Sequence, residues 1–178
     1  TDPDRDAAFV QVMNRSRKAA SSMKDIPANS PVAIVIDRSV RCIEAMFAAV
    51  YAGCFYTVID VHSPVSRISD IFSTLRPAAV MTDSSCLVLT GEILEKCSMQ
   101  DIAVITYEDA VSCPEDTDFL SSVRASMIDT DPLYVLFTSG SSGKPKGTVV
   151  SHRSVISYTE WVSAEFGFDE TTIFGSQA

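Results

Sequence analysis

The chain has 178 residues, of which 46% are hydrophobic and 21% charged. That suffices for the core of one globular domain and excludes a collagen-like or disordered composition. Its formal net charge is −9, with Asp and Glu outnumbering Lys and Arg 23 to 14. This argues against nucleic acid as a partner, because neutralising a phosphate backbone needs a basic face. A small anion stays compatible, since a few backbone N–H groups and one or two lysines can hold it locally.

The five cysteines, Cys42, Cys54, Cys86, Cys97 and Cys113, include no C-x-x-C pair, and only His62 and His152 could join them as nitrogen ligands. Zinc spacing is absent, no metal ligands are assigned, and the thiols read as free in a reducing compartment. The acidic start, Thr1-Asp2-Pro3-Asp4-Arg5-Asp6, is unlike a signal peptide, and no apolar run reaches membrane-spanning length. A cytoplasmic location without membrane association is expected.

Along the chain, Asp4 to Lys24 reads as a helix ended by Pro27 and Pro31. Val32 to Ile36 is wholly apolar and suits a buried strand. Ser39 caps a second helix whose Ile43, Met46, Phe47 and Val50 form its expected apolar face, and Gly53 closes it. Phe55 to Ile59 is the next strand. Ser63-Pro64 opens a helix lined by Val65, Ile68, Phe72 and Leu75, and Pro77 stops it. Ala78 to Thr82 is a strand, Gly91 to Cys97 a weak helix and Ile102 to Thr106 a strand. Cys113 to Asp131 is polar and reads as a connector with one helical turn. Leu133 to Thr138 and Thr148 to Ser151 read as strands. A final helix follows through Val155, Tyr158, Val162 and Phe166, with Trp161 and Phe166 expected in the core. Short apolar strands alternating with helices predict an α/β fold with a mostly parallel sheet flanked by helices.

The chemistry concentrates in Thr138-Ser139-Gly140-Ser141-Ser142-Gly143-Lys144-Pro145-Lys146-Gly147, directly after a strand. Glycines let a backbone approach a ligand with its N–H groups turned inward, hydroxyls donate to phosphate oxygens, and lysines offset anionic charge. A Walker-type loop needs G-x-x-x-x-G-K-[ST]; here Thr138 stands at the first position and Pro145 at the last. No G-x-G-x-x-G is present either.

The run Tyr134 to Gly147, YVLFTSGSSGKPKG, resembles the phosphate-binding signature of the adenylate-forming (AMP-binding) superfamily, and Thr148 to His152 is similar to its continuation. Ala52-Gly53-Cys54-Phe55-Tyr56-Thr57-Val58-Ile59-Asp60, followed by Pro64 and Arg67, resembles the early motif of amino-acid-activating members, with Val58 and Val61 where prolines are common. The likeness points to the N-terminal part of a nonribosomal peptide synthetase-type adenylation domain or a D-alanine-activating ligase.

The resemblance implies ATP and Mg²⁺, attack of a carboxylate on the α-phosphate, and transfer of the acyl group to a thiol. That thiol is a phosphopantetheine arm on a carrier protein, or coenzyme A. It implies that Thr138, Ser139, Gly140, Ser141, Ser142, Gly143, Lys144 and Lys146 bind the nucleotide phosphates. His152 is either a substrate-side residue or a helix-opening one, and Tyr56, Asp60 and Arg67 hold the scaffold, Asp60 and Arg67 as a pair across a turn.

Under this resemblance residues 1–178 form an incomplete N-terminal portion of the large subdomain. The rest of that subdomain, the small mobile domain and the catalytic residues are expected beyond Ala178. Such a fragment is expected to be inactive alone and to self-associate through uncovered apolar faces. A fatty-acyl ligase and a non-enzymatic nucleotide-binding module are the alternatives.

Overall fold

Strand β1 (Pro31–Val35) lies inside a sheet with both faces covered, and Val32, Ala33, Ile34 and Val35 are all buried. This is why its sequence runs apolar without alternation. The computed structural model describes residues 7–139 and 145–174. The other elements are α1 (Phe9–Ser21), α2 (Val40–Tyr51), β2 (Phe55–Val58), α3 (Val65–Leu75), β3 (Ala79–Thr82), α4 (Leu87–Cys97), β4 (Ala103–Thr106), α5 (Tyr107–Ser112), α6 (Thr117–Ser126), β5 (Pro132–Ser139), β6 (Pro145–Ser151) and α7 (His152–Phe166).

The strands lie in the order β4-β3-β1-β2-β5-β6; all neighbours are parallel except β5 and β6, which form an antiparallel hairpin. Alternation along β1 divides the core in two. Val32 and Ile34 pack with Ala19, Ala45, Ala48 and Leu120 on one face, and Ala33 and Val35 with Ile68, Phe72 and Ile93 on the other. No helix among the described residues is long and apolar enough to cross a membrane.

Three expectations need correction. In α2 the expected face is only half right: Met46 packs against the core, but Ile43 and Phe47 are 46% and 43% exposed, while Ala45, Ala48 and Ala49 are fully buried. Helices α1 and α2 approach through alanines, Ala19 and Ala20 opposite Ala45, Ala48 and Ala49, so close packing selected small side chains over large ones.

The supposed connector contains α6, a ten-residue helix capped by the Asp116 carboxylate accepting from Phe119 N–H at 3.0 Å, with Leu120 and Val123 buried. Just before that stretch stands a short helix, α5, its N-terminus capped by the Thr106 hydroxyl. Finally, α7 buries none of its residues, so Trp161 and Phe166 are surface side chains in this chain, in edge contact at 6.5 Å between ring centroids.

Gly53 holds φ +75 at the end of α2, where a Cβ would also sit 3.0 Å from Val123 Cγ1. Position 53 therefore takes glycine for both conformation and space.

Candidate phosphate-binding hairpin

Because β1 to β5 run parallel, their carboxyl ends share one edge of the sheet, the edge at which open α/β sheets bind ligands. β5 ends and β6 begins at that edge. Ser139 pairs with Pro145 and Thr138 with Lys146 across the hairpin. Directly opposed residues project to the same face, so the Thr138 hydroxyl and the Lys146 ammonium stand side by side at the mouth of the connection, both exposed. A hydroxyl donor and a cation on one face suit a multiply charged anion.

β2 ends at Val58, whereas β5 continues five positions past Tyr134, the partner of Tyr56, to Ser139. The end of β5 therefore projects beyond the neighbouring strand. Gly147 lets the hairpin close: a Cβ there would lie 2.9 Å from Val135 Cγ1 and 3.2 Å from the ring of Phe137, its cross-strand partner.

The early motif lies at the same edge. Asp60 accepts from His62 N–H at 3.1 Å and from the Ser63 hydroxyl at 3.1 Å, forming the turn that leads into α3. The His62 N–H, then the Ser63 hydroxyl, hold its carboxyl below the usual carboxylate range. No ion pair joins Asp60 to Arg67 among the described residues; Asp60 builds the scaffold through its own turn rather than across to Arg67. Tyr56 packs against Tyr134 with tilted rings and centroids 5.9 Å apart, and burial pushes its hydroxyl up to about 12.

A family described as AMP-binding enzyme matches residues 2–177. The chain belongs to the AMP-binding enzyme family. A D-alanine–D-alanyl carrier protein ligase of Staphylococcus aureus (strain MRSA252) is 31% identical over 156 residues, covering 86% of this chain and 29% of the relative. The chain thus spans under a third of the curated relatives it matches.

Among solved structures, McyG A-PCP complexed with phenylalanyl-adenylate superposes with TM-score 0.78 at 16% identity, over 93% of this chain and 31% of that one. ATP-bound MatB from Rhodopseudomonas palustris superposes with TM-score 0.71 at 19% identity, over 90% and 32%. Both bear on the fold alone.

Of the residues expected to bind phosphate in this AMP-binding chain, Thr138 and Lys146 are brought together. Gly140, Ser141, Ser142, Gly143, Lys144 and the side chain of Ser139 lie outside the described residues. His152 is elsewhere. It follows β6, at the opposite end of the hairpin and roughly 20 Å of strand from the mouth. Its N–H donates to the Asp131 carbonyl at 3.1 Å, and burial lowers its pKa, opposed by the Asp131 charge.

Next to it, Arg153 makes a bidentate pair with Asp129 at 2.8 Å, fastening the start of α7 to the turn before β5. His152 also lines a groove of about 690 Å³ with Met13, Val50, Tyr51, Met127 and Ile156, away from the loop.

Sequence reasoning missed a charged cluster at the far end of the carboxyl edge. Glu44 is fully buried, accepts from the Tyr107 hydroxyl, and meets Arg15 at 3.5 Å. Arg41 lies over the Tyr107 ring at 5.5 Å and pairs with Glu108 at 2.9 Å. Glu108 in turn accepts from the Ser84 N–H and hydroxyl. These charges satisfy one another and tie α1, α2, β3 and α5 together. The only advance signal was a lone Glu in the apolar run of α2.

Proposed function

We propose that residues 1–178 form the N-terminal, phosphate-binding part of an adenylate-forming ligase. The ligase activates a carboxylic acid, with an amino acid the favoured class, as an acyl-adenylate with release of pyrophosphate. The observation that carries this reading is the pairing of Thr138 with Lys146 at the mouth of a Gly-Ser-Lys connection on the carboxyl edge of a parallel sheet.

In this reading, Thr138, the serines and the backbone N–H groups of 139–143 donate to the β- and γ-phosphates of ATP, while Lys144 and Lys146 offset their charge. Mg²⁺ accompanies the nucleotide. No group of three or more His, Cys, Asp or Glu among the described residues is placed to hold it, and its ligands are expected beyond Ala178, with the catalytic residues. His152 serves the α7 latch first, and any substrate contact would be made through its groove.

The 31% identity to a D-alanine–D-alanyl carrier protein ligase supports an amino acid substrate and a carrier protein as acceptor; in the proposed reaction the acceptor thiol is a phosphopantetheine arm, and the reaction runs in the cytoplasm.

The test is carboxylate-dependent exchange of labelled pyrophosphate into ATP by the full-length protein across amino acids, aryl acids and fatty acids. Exchange with an amino acid is expected. Exchange with fatty acids alone would move the reading to an acyl ligase, and ATP binding without exchange would leave only a nucleotide-binding module.

A further inference from the structure

The two sequence motifs, Ala52–Asp60 and Tyr134–Gly147, meet along one thin seam. Strands β2 and β5 share a single registered pair, Tyr56 with Tyr134, among the described residues, whereas β1 shares four with β2 and four with β3. Two side-chain contacts reinforce the seam. The Thr57 hydroxyl donates to the Val135 carbonyl at 2.8 Å, with both residues buried, and the tilted Tyr56 and Tyr134 rings are in contact. Among the described residues the hairpin has no further strand on its other side, and α7 beyond it has no buried residue.

We propose that Thr57 is a positioning residue for nucleotide binding. Its hydroxyl stands in for a missing ladder bond, fixes β5 against β2, and so sets where Thr138 and Lys146, three and eleven residues past Val135, stand at the carboxyl edge. The inference rests on the phosphate-binding reading above and deepens it. The early motif then serves ATP from beneath, by holding the strand that carries the loop.

The fold supplies its own control. The Thr82 hydroxyl donates to the Val35 carbonyl at 3.0 Å, also buried, but it joins β3 to β1 where the ladder is already complete. Thr→Val deletes either hydroxyl at nearly constant shape and removes that donor from a buried carbonyl.

In the full-length protein, Thr57→Val is expected to speed amide exchange across residues 133–138 about tenfold and to raise the ATP KM about three- to tenfold with kcat within about twofold. Thr57→Ser should restore both. Thr82→Val should lower Tm and loosen residues 79–82, yet leave the ATP KM within about twofold of wild type.

Wild-type protection of 133–138 in Thr57→Val, or equal rises in KM for the two valine variants, overturns the proposal. If the wild-type protein exchanges no pyrophosphate with any carboxylate, the ligase reading fails instead. The positioning role is then decided by amide exchange together with ATP affinity, and unchanged values in Thr57→Val overturn it.

Discussion

Strands β4, β3, β1 and β2 and the hairpin β5–β6 are held by different means. The first group is joined by four registered pairs at each of its seams, with helices on both faces and a core reaching Ile34, Phe72 and Met81 at 0% exposure. The hairpin is long and well paired internally but, among the described residues, meets β2 through one registered pair, one buried hydroxyl and two tyrosine rings, with β6 also lying against α3. Leu136 and Val149 in it, and Ile156 and Trp161 in the helix that follows, are half or more exposed. The layers therefore carry a more lightly attached arm, and the arm bears the residues proposed to bind phosphate. Low local stability belongs at ligand-gripping segments.

That contrast can be broken most forcefully in the layers. Phe72→Ala removes a fully buried ring and is expected to cost about 3–5 kcal/mol in urea unfolding. Trp161→Ala in the same chain should stay within about 0.5 kcal/mol, because its ring is mostly in solvent. Equal losses would dissolve the distinction.

Next in size is Gly147→Ala, which pushes a methyl against Val135 and Phe137 and should destabilise by about 1–3 kcal/mol. Phe137→Leu, by making room, should recover part of that loss. Limited proteolysis should cut the Gly147→Ala hairpin first while β1 to β4 stay intact.

The smallest effect concerns alkaline pH. Burial raises the Cys42 and Cys54 thiols from 9.0 to about 11. The unfolded chain releases these protons first as pH rises. The folded state's advantage is therefore complete below pH 9 and declines as pH climbs towards 11. Cys42→Ala and Cys54→Ala should each flatten the fall of the urea midpoint over that window. An unchanged slope in both would place the alkaline weakness elsewhere.

Much of the layered part was legible because burial on both faces leaves an unmistakable trace: the run Val32 to Ile36 and the Ile68–Phe72 face are apolar wherever the fold buries them. The α2 face was misread because hydrophobicity ranks Ile43 and Phe47 above Ala45 and Ala48, whereas an alanine-to-alanine helix contact rewards small size. Helix α6 hid behind Asp116, Asp118 and Glu115, whose charge suggested a loop although Asp116 is its cap.

The pairing of Thr138 with Lys146 followed from the motif once the hairpin register was known. The Thr57–Val135 bond could not be read from sequence, since it spans 78 positions and depends on where two strands diverge.

The claim on which the rest depends is that the connection between Thr138 and Lys146 grips the phosphates of ATP. Calorimetric titration of MgATP into the full-length protein tests it most directly, comparing wild type with Lys144→Ala and Gly143→Val. The account predicts affinity lower by about tenfold or more in each, at unchanged Tm. Wild-type affinity in both variants would contradict it.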